Sequence, residues 1–184
     1  MRIIAGNLKG RKLATPQNDA IRPTADRMRE AVFNLLMHGS YGGQHIREQR
    51  VMDLCSGTGA VGLEAISRGA AHCTFVDQDK TALALAKENA VHCKVDGQCQ
   101  FLLTDATKLP SAPQPVALAF MDAPYATPLT LPVYTGLRRH GWLQPESLFV
   151  VEQPRSAAVE TLEGAECLDQ RDYGKARLII YHII

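Results

Sequence analysis

No apolar run in this chain approaches the roughly 20 residues that a membrane-spanning helix needs. The start, Met1-Arg2-Ile3-Ile4-Ala5-Gly6, is too short an apolar segment for a secretory signal, so a cytoplasmic protein is expected. The five cysteines (Cys55, Cys73, Cys93, Cys99 and Cys167) are odd in number and contain no Cys-x-x-Cys pair. That pattern offers neither a disulfide framework nor a zinc site, and leaves small buried hydrophobes in a reducing compartment. Nor do the six histidines include a His-x-x-x-His pair, so no metal is expected. Internal repeats, low-complexity tracts and linkers to a second domain are missing as well. What remains is 184 residues of ordinary globular composition, 46% apolar and 21% charged, enough for one domain with a sizeable core.

Net charge is also nearly lacking, at +1, yet it is unevenly spread. Residues 1–50 hold nine Arg or Lys against four acids, a surplus of five, whereas the remainder holds eleven against fifteen. Basic side chains concentrated on one segment are the electrostatic signature of phosphate-backbone binding, although a solvated surface carries such clusters too. The segment reads as an arm, residues 1–45, packed on a core domain of residues 46–184. Two short extended stretches, 2–5 and 12–15, flank a turn-rich stretch with Gly6, Asn7 and Gly10, which predicts a hairpin carrying Lys9, Arg11 and Lys12 outward. Thr24 then offers an N-cap for a helix from Ala25 to about His38. Its apolar face is Met28, Ala31, Val32, Leu35 and Leu36, with Arg27 opposite and Arg29 to one side.

From Arg50 onward strands and helices alternate. Apolar runs predict strands at 51–55, 72–77, 100–104, 116–122 and 147–152, and helical patterns occupy 59–68, 79–93 and about 128–140. Such alternation predicts an α/β fold whose parallel sheet is covered on both faces. The end differs, because residues 166–172 and 176–184 flank Gly174 as a closing hairpin and add an antiparallel strand.

Four strand ends carry candidate chemistry. Asp53-Leu54-Cys55-Ser56-Gly57-Thr58-Gly59 is a strand running into a glycine turn, and Gly62 completes a formal Gly-x-Gly-x-x-Gly. Glycines permit a tight turn and close approach of backbone N–H groups to a ligand, and the helix start that follows favours anions. Asp53 can order those N–H groups or meet a ligand ammonium, and Ser56 and Cys55 offer small volume beside it. Asp77 follows Gly57 by twenty residues at the next strand tip, where a carboxylate can accept both ribose hydroxyls. A dinucleotide and a methyl-donor nucleoside both fit. Asp105, with Ala106, ends the third strand and either accepts from an adenine amino group or caps a turn. Asp122-Ala123-Pro124-Tyr125 closes the apolar run 116–121, and an acid, a proline-fixed backbone and an aromatic ring there can grip a planar amino group.

Together these motifs resemble the class I S-adenosylmethionine-dependent methyltransferases, and more closely the bacterial enzymes that methylate the guanine N2 amino group in small-subunit ribosomal RNA. The resemblance runs through Arg2-Ile3-Ile4-Ala5-Gly6, Lys9-Gly10-Arg11-Lys12-Leu13 and Arg22-Pro23-Thr24-Ala25-Asp26-Arg27-Met28-Arg29-Glu30. It continues in the glycine loop with Gly62-Leu63-Glu64-Ala65, and ends in Asp122 to Tyr125 and Gly141-Trp142-Leu143. It implies a Rossmann-like seven-stranded, mostly parallel sheet with S-adenosylmethionine across the strand ends. Gly57 and Gly59 would line the amino-acid part of that donor, Asp77 its ribose and Asp105 its adenine, with Asp53, Ser56 and Ala106 alongside. Asp122 and the carbonyl next to Pro124 would hold the guanine amino group, and Tyr125 would stack on the extruded base. Lys9, Arg11, Lys12, Arg22, Arg27 and Arg29 would meet the RNA, either free ribosomal RNA or a partly assembled small subunit, and a monomer is expected.

One position departs from the resemblance. The family usually places two prolines between the acid and the aromatic ring, and Ala123 stands at the first. Pro124 still biases Ala123 to extended backbone. The rival readings are a nicotinamide-dependent oxidoreductase, an amino-methyltransferase acting on DNA adenine or protein glutamine, and a non-catalytic RNA-binding module.

Overall fold

The computed structural model describes residues 1–16, 23–38, 41, 43–124 and 128–184, with the side chains of residues 23–27 left aside. Seven strands form one sheet: β1 (Arg50–Leu54), β2 (His72–Asp77), β3 (Cys99–Leu103), β4 (Leu118–Asp122), β5 (Leu148–Pro154), β6 (Ala165–Tyr173) and β7 (Ala176–Ile183). Their order across the sheet is β3-β2-β1-β4-β5-β7-β6. The central strands are buried on both faces, as their unbroken apolar runs require of parallel strands covered by helices. Only β7 runs antiparallel, against β5 on one side and β6 on the other. The hairpin joining β6 to β7 turns at Gly174, with φ of +62°.

The helices are α1 (Pro23–Met37), α2 (Ala60–Ser67), α3 (Lys80–Cys93) and α4 (Thr130–Arg139). Pro23 takes the first helical position, where its fixed φ suits the turn and its missing N–H is not needed. Thr24 therefore lies inside α1 and not at its cap. In α3 the cap is Asp79, whose carboxylate accepts from the Thr81 N–H at 2.7 Å.

Successive strand residues point to opposite faces and so feed two separate apolar layers. Val150 and Ile180 join Phe75, Phe120, Leu63 and Phe33 in one; Phe149 and Ile179 join Trp142, Tyr134 and Tyr181 in the other. Ile3, Leu13, Val32, Leu36 and Ile46 belong to the first layer, so the arm is welded into the same core as the sheet. The expected N-terminal hairpin is narrower than two strands. A single antiparallel bridge joins Arg2 to Lys12, supported by Ile3 N–H to the Arg11 carbonyl at 3.0 Å and Gly10 N–H to the Ile3 carbonyl at 2.9 Å.

The order of strands places the site. From β1 the chain steps outward to β2 and β3, then returns to the other side of β1 as β4. Open α/β sheets bind ligands at such a reversal, in the crevice outside the carboxyl ends of the strands.

Candidate active site

At that crevice the loop after β1 is held in left-handed backbone at Cys55 (φ 58°), Gly57 (φ 53°) and Gly59 (φ 75°). A β-carbon on Gly57 would meet nothing within 4 Å, which leaves open space on its ligand side. Gly62 serves differently, since a β-carbon there would lie 2.4 Å from Phe75 and force α2 off β2. Carboxylates fix the loop. Gly57 N–H donates to Asp77 Oδ2 at 2.9 Å, Asp79 N–H donates to Asp77 Oδ1 at 2.9 Å, and Gly62 N–H donates to Asp53 Oδ2 at 2.8 Å. Ser56 is buried, and its hydroxyl has no hydrogen-bond partner among the described residues.

Asp105 does act as a turn cap: its Oδ1 accepts from the Thr107 N–H and hydroxyl, each at 2.8 Å. Those bonds hold its carboxyl below the ordinary range, so it stays ionised with Oδ2 outside them. The turn and acceptor readings are thus compatible. Ala106, expected to line the donor site, is buried in the second apolar layer with Val76, Leu109 and Met121.

Asp122 ends β4, one strand over from the glycine loop and in register with Glu152 of β5. No hydrogen bond or ion pair engages its side chain among the described residues, and it is exposed to solvent while protein surrounds the mouth of the crevice. Desolvation by that surround pushes its carboxyl up to about 6. Asp53 is pushed up to about 8, first by complete burial and then by Asp122 and Asp77, against the opposing Gly62 N–H and Arg29. Burial, followed by the charges of Asp77, Asp53, Asp122 and Asp105, raises the Cys55 thiol to about 12. Four carboxylates from four successive parallel strands therefore share one edge. Such an edge attracts cations and resists anions. Ala123 is buried at 9% exposure, Pro124 is exposed, and Tyr125 lies outside the described residues.

The arm sits beside the glycine loop. Lys9, Arg11 and Lys12 are exposed as expected, and Arg2 joins them. Arg29 does not: it is buried, with Nη2 donating to the Arg2 carbonyl at 2.8 Å and Nε 3.9 Å from Glu64 Oε2. Its task is to hold the arm, because a carboxylate on neighbouring α2 draws it inward. Arg22 and the Arg27 side chain lie outside the described residues.

Two anchoring residues were not singled out for this role by the sequence. Glu64, fully buried, accepts from the Ile4 N–H at 2.8 Å, the Ala5 N–H at 3.0 Å and Arg68 Nε at 2.7 Å. A lone charge in the otherwise apolar α2 was the available clue. Asn89, on α3, has no such clue; its contacts reach Ala14 and Thr58. Among the described residues no cluster of His, Cys, Asp and Glu could hold a metal ion, and no helix is long and apolar enough to cross a membrane.

Known proteins carry the same layout. The family model described as "Conserved hypothetical protein 95" matches residues 1–182. Ribosomal RNA small subunit methyltransferase D of Haemophilus influenzae is 30% identical over 98% of this chain and 93% of its own length. The protein of the same name from Escherichia coli K12 is 34% identical over 83% of this chain and 74% of its own. Among solved structures, yhhF of Escherichia coli superposes with a TM-score of 0.86 at 30% identity, covering 100% of this chain and 97% of that one. Matched along nearly its whole length, the chain belongs to the Conserved hypothetical protein 95 family and to the same group as ribosomal RNA small subunit methyltransferase D.

Proposed function

We propose that this protein transfers a methyl group from S-adenosylmethionine to the exocyclic N2 of a guanine in small-subunit ribosomal RNA. One observation carries the reading: the Asp122 carboxyl, without a hydrogen bond among the described residues, opens beside a glycine loop whose backbone is already tied down. The relatives named for small-subunit ribosomal RNA methylation support the substrate, and the exposed Lys9, Arg11 and Lys12 support a polyanion over a protein side chain.

The residues present suit a cationic nucleoside. Open space at Gly57 and a Ser56 hydroxyl without a partner among the described residues leave room and bonding capacity for its amino-acid part. Asp77 would accept from ribose hydroxyls and Asp105 Oδ2 from an adenine amino group. The acidic edge favours a sulfonium and an ammonium, whose charge would also draw Asp53 into its ionised form, and disfavours the doubly anionic pyrophosphate of a nicotinamide dinucleotide. When bound, S-adenosylmethionine supplies an electrophilic methyl group. The protein's part is alignment, which can supply several kcal/mol of the barrier without a covalent enzyme intermediate.

The guanine N2 lone pair is delocalised into the ring and needs orienting. Asp122 and the carbonyl next to Pro124 would each accept one amino hydrogen, turning the nitrogen toward the donor. The ring of Tyr125 is assigned to stack on the extruded base. Asp122, with its carboxyl raised to about 6, is a stronger base than an ordinary aspartate and would take the proton that N2 loses. The test is labelled-methyl transfer to ribosomal RNA and to small subunits from cells lacking this protein, with the modified base mapped. Label on guanine N2 is expected; label on adenine, on protein or on nothing overturns the assignment.

A further inference from the structure

One buried side chain bridges the arm and the glycine loop, which also touch where the Thr58 hydroxyl donates to the Met1 sulfur at 3.5 Å. Asn89 is 1% exposed and spends its amide on both. Its Oδ1 accepts from the Ala14 N–H at 2.7 Å, and its Nδ2 donates to the Ala14 carbonyl at 3.1 Å and to the Thr58 carbonyl at 2.9 Å. The two bonds to Ala14 reproduce the pairing of one β-strand residue with the next, so the arm treats Asn89 as a neighbouring strand. Thr58 lies between Gly57 and Gly59, and Ala14 follows the exposed Arg11 and Lys12. Burial raises the Cys93 thiol at the end of α3, and the nearby charge of Arg11 opposes that rise, which places Arg11 close to the end of the helix that carries Asn89.

A buried amide with its oxygen and both donor bonds engaged has one rotamer and one set of partners. Leaving any of them unpaired in the interior is costly, so the three segments move together or not at all. Resting on the function proposed above, we infer that Asn89 is a positioning residue: it registers the RNA-holding arm against the donor-holding loop, so that nitrogen and methyl carbon meet in line. It touches neither ligand. Without it, each ligand still finds its own surface and the arm keeps its hold on α2, but the bridge that sets the arm's Ala14 end against the Thr58 loop is lost. Misplacement of reacting groups by about 1 Å can cost on the order of 100-fold in rate.

Two variants separate registration from simple stability. Asn89→Ala removes the whole bridge; Ala14→Pro removes only the N–H that Asn89 accepts, at an exposed position outside the core layers, and so remains informative should the first variant fail to fold. Three quantities are measured on each folded protein: S-adenosylmethionine affinity by calorimetry, RNA affinity by filter binding, and the single-turnover rate with both saturating. Amide hydrogen exchange at residues 13–15 and 57–59 is followed without any ligand. Registration predicts a rate loss of about 10- to 100-fold for Asn89→Ala and a smaller loss for Ala14→Pro, with both affinities within about threefold of the wild type. Exchange should quicken in both segments of Asn89→Ala. An unchanged rate overturns the inference, and so does a rate loss matched by an equal loss of affinity for either ligand. A wild-type protein that binds the donor yet methylates no RNA would instead overturn the proposed function, whatever the exchange data show.

Discussion

The glycine loop and the Asp122 corner lie on adjacent strands, yet one is clamped and the other is open. Around the loop, Asp53, Asp77 and Asn89 spend their polar atoms on the backbone of Gly62, Gly57 and Thr58. At the corner, Asp122 spends nothing on the protein among the described residues. A donor that enters every cycle in the same form rewards a prebuilt cradle, since ordering a loop at each encounter would be lost from affinity. On the proposed function, an acceptor base arrives from a folded RNA, and a carboxyl with no hydrogen bond among the described residues keeps both its oxygens for it. On that reading, binding is prepared on one side and chemistry is held in reserve on the other.

The sharpest way to break this contrast is Asp122→Ala. Methyl transfer should fall by at least about 100-fold in single turnover, with S-adenosylmethionine affinity within a few-fold of wild type by calorimetry. A parallel loss of donor affinity would mean that the corner belongs to the cradle after all. Neutralising Lys9, Arg11 and Lys12 together should weaken RNA binding by about 10-fold or more at physiological salt. It should also flatten the salt dependence by about two to three in slope, leaving the donor untouched. Filter binding across a salt series reads this directly, and unchanged RNA affinity would remove the arm from the interface.

Asp77→Ala tests the cradle in the opposite sense. Losing a carboxylate that holds Gly57 should cost roughly 10-fold in donor affinity, with RNA affinity preserved. Proton linkage gives a finer probe. Asp53 is protonated in the empty crevice up to about pH 8, and a cation favours its charged form. Binding of S-adenosylmethionine at pH 7 should therefore release protons, seen as a calorimetric heat that varies with buffer, and the release should fade above pH 8 and shrink in Asp53→Asn. Because its folded pKa is raised, the stability tied to this proton is fully present below the unfolded value near 4 and is lost as pH rises toward 8. The smallest effect is expected from Ala123→Pro. Pro124 already biases Ala123 to extended backbone, so the transfer rate should stay within about threefold of wild type. A large gain or loss would show that the corner's stiffness limits the reaction.

Much of this was legible in the sequence, for definite reasons. β4 and β5 announce themselves because the buried stretch of a strand covered on both faces is apolar without interruption, β1 because only Asp53 breaks its run, and Gly57 with Gly59 because left-handed backbone excludes most other residues. Asp77 and Asp122 were readable because strand-end position follows from the strands themselves. Arg29 was not. Helical spacing places it to the side of α1, and only the docking of α2, with Glu64 inside, makes that side an interior. Asn89 is a stronger case: it sits 75 residues from Ala14 and 31 from Thr58 in the chain, and no local pattern encodes a three-way junction. The burial of Ala106 was not legible either, because adjacency to Asp105 does not say which way a methyl points.

Glycine at position 6 has one more implication. A β-carbon there would lie 1.8 Å from the Ser67 carbonyl oxygen, so the arm lies hard against the end of α2 at this point. The partners that fix the arm, Glu64, Ser67 and Asn89, are all encoded later than the arm itself. During synthesis, at about 5–20 residues per second, the arm therefore stays solvated and positively charged for seconds after it is made, until α2 and α3 have left the ribosome. Placing the arm is thus a late step of folding, completed only when the two helices that hold it exist.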